Sequence, residues 1–104
     1  RNDRIILGST EDLLALEPIE DKWRAFGFNT ERVDGHCFSS LLKTFDRIGK
    51  TDGKPIAIIA DTVKGKGIPS IEGEKAWHYW QTLPAEEQAE IMEDLRIKER
   101  ELSE

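Results

Sequence analysis

The sequence predicts an α/β fold, a parallel sheet with flanking helices, and two observations indicate this fold class. Apolar segments that suit strands alternate with amphipathic segments that suit helices, in the order strand, helix, strand, helix, strand, loop, helix. The run PIAIIADTV at 55–63 is apolar almost throughout, which is typical of a strand covered on both faces of a parallel sheet. With 104 residues, the chain is long enough for one small domain. Such units are joined by right-handed crossovers.

The first predicted elements are a short strand at 5–7, which Gly8 ends, and a helix that begins after the candidate caps Ser9 and Thr10. Pro18 breaks this helix, because the residue before a proline is pushed out of the helical region. A second helix is predicted over 18–26, where apolar residues recur at helical spacing and a glycine follows.

The remaining elements follow the same alternation. A strand is predicted at 28–33, and a helix with the clearest amphipathic stripe of the chain runs from Phe38 to Ile48, ended by Gly49. The apolar strand at 55–63 comes next. The last helix is predicted from Thr82 to about Glu99, after which a run of charged residues is expected to fray.

Composition and charge narrow the class of protein. The formal net charge is −6, which argues against nucleic-acid binding, because such binders need a basic face. No apolar run approaches the roughly 18 residues of a membrane span. The single cysteine, Cys37, excludes an internal disulfide and fits the cytoplasm. Three strands form an incomplete sheet and the chain begins abruptly at Arg1, so we expect a piece of a longer polypeptide.

Ligands of open parallel sheets bind at the carboxyl ends of the strands, which gives three places to look. These are the loop at 2–8, the turn DGH at 34–36, and the stretch KGKGIPSIEGEKAWHYW at 64–80. The KGKG segment lacks the spacing of a P-loop. It is either a mobile surface loop, which is the plainer interpretation, or a loop that holds an anion on glycine backbone and lysine charge.

His78 is the candidate for proton chemistry. Trp77, Tyr79 and Trp80 could form an apolar wall that lowers the pKa of the imidazole, so that it exchanges a proton near neutral pH. The same three aromatics could instead only pin the loop to the core. His36 and Cys37 are interpreted as a turn residue and a small buried residue at a helix start. Asn2 could offer a neutral oxygen to a hard cation such as Mg²⁺.

Four segments, in order and spacing, resemble one family. NDRIILGST at 2–10 is similar to a motif N-x-x-x-x-D-G-x-T. LEPIEDKWRAFGF with the later VDGH, over 16–36, is similar to LEPLADKWRAFGW followed by VDGHD. GKPIAIIADTVKGKGI at 53–68 is similar to GKPTVIIARTVKGKGV, and EKAWHYW at 74–80 resembles a WHG element. These are motifs of transketolase. The whole chain, 1–104, resembles the C-terminal half of its diphosphate-binding domain, particularly in bacteria where that domain is a separate N-terminal subunit.

The resemblance implies thiamine diphosphate, whose diphosphate is held through Mg²⁺ or Ca²⁺. The metal ligands would be an Asp in a GDG motif upstream of this chain, the side chain of Asn2, and the main-chain carbonyl of Arg4. Ile6 would pack against the cofactor. His78 matches a histidine that contacts the cofactor and substrate and helps proton transfer, and 64–67 matches a loop that lies over the cofactor.

The implied reaction moves a two-carbon ketol unit from a ketose phosphate to an aldose acceptor. The implied partners are sugar phosphates and the pyrimidine-binding domain or C-terminal subunit, in a homodimer or heterotetramer, with no nucleic acid and no membrane. The isolated chain is expected to be inactive, because the GDG half of the metal site and the glutamate of the other domain lie outside it. Leu7 replaces a usual Asp, and Tyr79 and Trp80 replace a usual Gly-Lys, which puts ordinary pentose-phosphate specificity in doubt.

Two alternatives stay open. The parent could act on a different sugar or a ketoacid. It could also be a non-catalytic α/β interaction module that has kept the fold without the chemistry. A GDG motif upstream of Asn2 favours the enzyme, and its absence favours the module.

Overall fold

A computed structural model describes residues 1–48, 50, 53–78 and 82–103, and it confirms the α/β class. The chain forms two compact units. Residues 1–3 and 10–62 make the first unit, and residues 4–9 and 63–104 make the second.

The first unit is organised around two parallel strands. β3, Asn29–Asp34, pairs with β4, Ile56–Asp61, in a register that sets Asn29 opposite Ile56 and Asp34 opposite Asp61. α3, Phe38–Phe45, connects them, as the predicted parallel crossover requires. Val33 and Ile59 are the buried apolar residues of this pair. Both strands therefore end at the same edge, with an aspartate at each carboxyl end.

Two short helices precede this β-α-β unit. α1 covers Thr10–Leu13 and α2 covers Ile19–Ala25. The predicted break is confirmed at Pro18, which has an extended conformation immediately before α2. α2 ends ahead of Gly27, whose φ of +88° lies in the left-handed region that suits a glycine after a helix.

The apolar stripe of α3 is only partly covered. Leu41 is half-buried and Thr44 is buried, whereas Phe38 is 83% and Leu42 64% exposed. Phe45 and Ile48 are exposed as well. Two strands are too narrow to cover the whole face of a helix, so the described part of the sheet leaves apolar surface open, as an incomplete sheet predicts. The predicted stop at Gly49 lies outside the described residues.

The second unit corrects the first predicted strand. The structure places β1 at Arg4–Ile5 and β2 at Gly8–Ser9, which pair antiparallel as a small hairpin. Ile6 and Leu7 form its turn and are exposed, so the apolar run at 5–7 is not a strand of the parallel sheet. The pattern was misleading because three apolar residues fit a buried strand and a hairpin turn equally well.

The last helix is longer than predicted. α4 runs over Ala85–Ser103, so the helix continues beyond Glu99. Arg96 and Arg100 both contact Glu93, at 3.6 and 3.2 Å, and the Ser103 hydroxyl donates to the Glu99 carbonyl at 2.8 Å. Pairs of this kind support an exposed helix end. Among the described helices, none has the length and apolar character needed to cross a membrane.

Candidate functional site

The candidate site of the second unit is built on the segment 64–73, here called the glycine loop. The Lys64 carbonyl accepts a hydrogen bond from the Gly73 N–H at 2.8 Å, so the loop closes on itself. Gly65 has a φ of +77°, and a Cβ there would lie 2.7 Å from the Ile71 carbonyl oxygen. The loop therefore has a closed, defined backbone structure.

Side chains reinforce this closure. One Glu72 carboxylate oxygen accepts the Gly67 N–H at 3.0 Å, and the other accepts the Lys66 ammonium at 3.1 Å. The Gly67 N–H, followed by Lys66, lowers the pKa of Glu72. The positive charge of Lys66 is thus engaged within the loop.

α4 anchors the glycine loop from the other side. Asp94 accepts the Ser70 N–H at 2.8 Å, and the Lys98 ammonium donates to the Gly67 carbonyl at 3.1 Å. Ile71 in the loop and Ile91 in α4 are buried. Apolar burial and two charge-assisted hydrogen bonds therefore fix the loop to a 19-residue helix.

Gly65→Ala is expected to destabilise the loop more than Gly73→Ala. Both glycines have nearly the same φ, +77° and +76°, so both alanines carry a similar backbone strain of about 1–2 kcal/mol. Only Gly65 adds a clash, since nothing lies within 4 Å of a Cβ at Gly73. Hydrogen exchange of the loop amides in the full-length protein measures the difference. Equal effects of the two substitutions would contradict the close packing at Gly65.

His78 lies beyond the loop, at the end of a short 3₁₀ turn, Ala76–His78. Its N–H donates to the Lys75 carbonyl at 3.1 Å, and its imidazole is exposed. The ring Nδ1 lies 3.0 Å from the Lys64 ammonium. Trp77 is half-buried, and the other two aromatics of the predicted wall, Tyr79 and Trp80, lie outside the described residues.

The predicted metal ligands stand around a distinctive backbone position. Asn2 is exposed, and the next residue, Asp3, has a φ of +55°. This conformation is uncommon outside glycine, and aspartate is one of the side chains that tolerate it. The Asp3 carboxylate accepts hydrogen bonds from Arg1 at 3.0 Å and Thr10 at 2.8 Å, which hold the bend in place.

The donors at this position suit a hard cation but are too few. The Asn2 amide and the Arg4 main chain offer neutral oxygens, which Mg²⁺ and Ca²⁺ accept, and Mg²⁺ takes six ligands. No group of three His, Cys, Asp or Glu side chains that could hold a metal occurs in the described part of the chain. Two neutral oxygens are fewer than either cation takes, so the metal site at Asn2 and Arg4 stays a prediction.

The structure distributes the predicted site residues over both units. Asn2 belongs to the first unit, and Arg4, Ile6 and His78 belong to the second. Ile6 is half-exposed, which leaves its side chain accessible for an apolar contact. Within the second unit, His78 and Lys64 are brought together across 14 positions of sequence. The cofactor and metal assignments stay predictions.

The turn DGH has a structural role. The Asp34 carboxylate accepts the His36 N–H at 2.8 Å, and the Gly35 N–H donates to the Asp61 carbonyl at 2.7 Å. A Cβ on Gly35 would lie 2.6 Å from a Thr62 methyl carbon, so glycine is needed for close packing. These contacts support the interpretation of His36 as a turn residue.

Cys37 differs from its prediction as a small buried residue. The thiol is half-buried, with the hydroxyls of Ser39 and Ser40 each 3.2 Å from its sulfur. Hydrogen bonds from Ser39 and then Ser40 lower the pKa of Cys37 to about 7.

The sequence did not reveal an ion-pair cluster around Arg32. Its guanidinium contacts both Asp61 oxygens at 2.6 and 2.9 Å, Glu17 at 3.0 Å and Glu20 at 3.1 Å. Arg1 lies beside the same cluster and contacts Glu17. Arg32 on β3 thus pairs with carboxylates of β4, of α2 and of the residue before α2's N-cap, so the cluster links these elements structurally. No spacing rule joins residues so far apart in sequence.

Arg32→Met is expected to lower the free energy of unfolding at pH 7 and to make this free energy depend less on pH. Arg32 lowers the pKa of Asp61, and the Ile19 N–H followed by Arg32 lowers the pKa of Glu17. Carboxylates with a depressed folded pKa stabilise the fold above about pH 4, and this contribution is lost as pH falls through the folded values. Urea midpoints from pH 7 to 3 should therefore converge for the two proteins. Parallel curves would contradict this, and Arg24→Met, on an exposed surface pair, is the control.

Comparison with known proteins found relatives of one kind. The chain is 40% identical over 77 residues to a 6-deoxy-6-sulfo-D-fructose transketolase subunit of Clostridium sp. strain MSTE9, covering 74% of this chain and 28% of that protein. It is 38% identical over 90 residues to an apulose-4-phosphate transketolase subunit of Phocaeicola vulgatus, covering 86% and 31%. It is 43% identical over 72 residues to transketolase-like protein 2 of Bos taurus, covering 69% and 11%.

These relatives confirm the resemblance seen in the sequence, and the homology supports the thiamine diphosphate-binding domain fold. The chain spans about a third of the length of the bacterial subunits that it matches. No family model matches it.

Proposed function

From the homology of this chain with transketolase subunits and transketolase-like proteins, we propose that it is part of a thiamine diphosphate-dependent transketolase. The activity is transfer of a two-carbon ketol unit from a ketose phosphate to an aldose acceptor. The observation that carries the proposal is His78, an exposed imidazole that contacts Lys64 at the start of the closed glycine loop, in a chain with these relatives.

We assign the chain to the C-terminal half of the diphosphate-binding domain, as residues 1–104. Asn2, through its side chain, and Arg4, through its carbonyl, would hold Mg²⁺ or Ca²⁺, and Ile6 would contact the cofactor. Oxygen donors of hard-cation type at Asn2 and Arg4, with the supported bend at Asp3 between them, favour this assignment. The cofactor, when bound, supplies the electron sink for carbon–carbon cleavage.

His78 would contact both the cofactor and the substrate. Its exposed ring can hydrogen-bond the substrate oxygens near the carbon that reacts and help to move a proton there. Its backbone is fixed by the 3₁₀ turn, so the ring needs little reorganisation when substrate binds.

The substrate follows from the relatives only as a class. Two of them are named for unusual substrates, 6-deoxy-6-sulfo-D-fructose and apulose 4-phosphate. We propose a sugar of this broader kind for the present chain, because Tyr79 and Trp80 replace a glycine and a lysine next to His78. Two aromatic side chains are bulkier than a glycine and a lysine, and without the lysine the sequence offers one cation fewer to a substrate phosphate.

Bacterial relatives are named as subunits, which favours a partner that carries the pyrimidine-binding half. We expect a homodimer or heterotetramer in the cytoplasm, and an isolated chain that binds the cofactor poorly and does not turn over. The rival, a non-catalytic module with the same fold, predicts no response to the cofactor.

Thermal unfolding of the full-length protein with its partner distinguishes the proposed enzyme from the non-catalytic module. Thiamine diphosphate with Mg²⁺ should raise the midpoint, by a stabilisation of about 2.7 kcal/mol at a hundredfold excess over Kd. Mg²⁺ chelation should cancel it, and Asn2→Ala should weaken it while Ser39→Ala should not. Ketol transfer from a panel of ketose phosphates and sulfosugars then identifies the donor. Absence of any shift would favour the module, and ketol transfer by the 104-residue chain alone would overturn the assigned division of the site.

A further inference from the structure

We infer that Lys64 is a positioning residue for His78, which it holds in the tautomer with the proton on Nε2. His78 then presents a hydrogen-bond donor to an oxygen of the sugar substrate. The substrate side of this inference rests on the proposed function, whereas the tautomer does not.

The contact itself determines which ring nitrogen is protonated. The Lys64 ammonium lies 3.0 Å from Nδ1 of His78. An ammonium group has donors and no acceptor, so Nδ1 must be the acceptor in this hydrogen bond. A neutral imidazole that accepts at one nitrogen carries its proton on the other. The outward nitrogen, Nε2, is therefore the donor.

The backbone holds both partners in place. Lys64 begins the closed glycine loop, and its carbonyl is tied to the Gly73 N–H at 2.8 Å. Gly65 follows at once with a left-handed φ and no room for a side chain. The chain leaves the loop and enters the 3₁₀ turn in which the Lys75 carbonyl fixes the His78 N–H at 3.1 Å. The two ends of one short segment thus bring lysine and histidine together.

Other lysines near the loop have different tasks. Lys66 pairs with Glu72 at 3.1 Å, and Lys98 donates to the Gly67 carbonyl at 3.1 Å. These contacts stabilise the loop, whereas the Lys64 contact is to the candidate catalytic ring. Lys98 therefore provides a matched control, since its ammonium donates to the Gly67 carbonyl of the same loop.

A fixed donor suits the proposed chemistry. Cleavage and formation of the carbon–carbon bond place negative charge on an oxygen of the sugar, and a preorganised N–H stabilises such charge. In this step the neutral ring acts as a hydrogen-bond donor through Nε2. If Lys64 is lost, the ring exchanges between tautomers and acts as a donor for only part of the time.

The test is ¹⁵N NMR of histidine-labelled full-length protein with its partner, with the His78 signals assigned through His78→Gln. Wild type should show an unprotonated Nδ1 and a protonated Nε2. Lys64→Met should produce a tautomer mixture and lower kcat about tenfold with little change in KM. Lys64→Arg, another pure donor, should restore both, and Lys98→Met should leave the His78 signals unchanged.

The two proposals fail separately. A protonated Nδ1 in the wild-type protein overturns the positioning role, even in an active transketolase. So does a Lys64→Met variant whose His78 spectrum and kcat equal those of the wild type. A Lys64-dependent tautomer in a protein that neither binds thiamine diphosphate nor transfers ketol units keeps the contact and overturns the proposed function. The wild-type spectrum decides the tautomer without any variant, so a misfolded Lys64→Met would not obscure the result.

Discussion

His78→Ala in the full-length protein is expected to lower kcat for ketol transfer by about 10²–10³-fold, with a smaller change in the Kd for the cofactor. The physical reason is that alanine removes a preorganised donor from the place where charge develops, whereas the metal-anchored diphosphate is held by other residues. Steady-state kinetics with the identified donor sugar, together with a cofactor titration, separates the two effects.

His36→Ala provides the control for that experiment. His36 is also a histidine that follows a strand, and its backbone N–H donates to the Asp34 carboxylate at 2.8 Å in a turn of structural role. Its kcat should stay within about twofold of wild type, as for surface substitutions away from a site. If His78→Ala were equally mild, His78 would not be a catalytic residue. If both variants lost activity equally, the loss would report on folding.

Ile71→Ala is expected to produce the largest loss of stability in the second unit, about 2–5 kcal/mol for local unfolding. Ile71 is 5% exposed and belongs to the 3₁₀ turn Pro69–Ile71, which packs on α4. Truncation removes buried apolar surface and leaves a cavity under the glycine loop. Hydrogen exchange of the full-length protein should show faster exchange at the Ser70 N–H, which bonds Asp94, and at the Gly73 N–H.

Leu102→Ala is the matched control. Leu102 lies on α4, the helix that the turn with Ile71 packs against, but its side chain is 82% exposed. Its effect should stay within about 0.5 kcal/mol. The loop is also linked to His78, so Ile71→Ala should reduce activity through a disordered Lys64–His78 pair. Unchanged exchange in 64–73 would mean that hydrogen bonds alone hold the loop.

Local patterns were enough for several elements. The break at Pro18 and the stop at Gly27 follow from backbone restrictions of single residues, and the structure confirms both. The parallel pairing of β3 with β4 followed from an apolar run that suits a strand covered on both faces. The family could be identified because its motifs are continuous stretches of sequence, read without knowledge of packing.

Patterns failed where two structures share one signature. The apolar residues at 5–7 fit a strand, but Ile6 and Leu7 form the turn of a hairpin. The charged end of α4 indicated fraying, but ion pairs to Glu93 accompany a helix that continues to Ser103. In both cases contacts with neighbouring residues, not the intrinsic preference of the segment, decided the outcome.

By itself, then, the sequence determined the α/β class, the parallel strand pair, the relationship to transketolases and His78 as the residue to test. The tertiary structure alone decided that the glycine loop is closed, that Arg32 gathers Glu17, Glu20 and Asp61, and that Lys64 faces Nδ1 of His78. The physical reason is separation along the chain. Helix stops and apolar runs act over a few residues, whereas these pairings join positions 12 to 29 residues apart in the cluster and 14 apart at the histidine. Only folding brings such residues within hydrogen-bond distance.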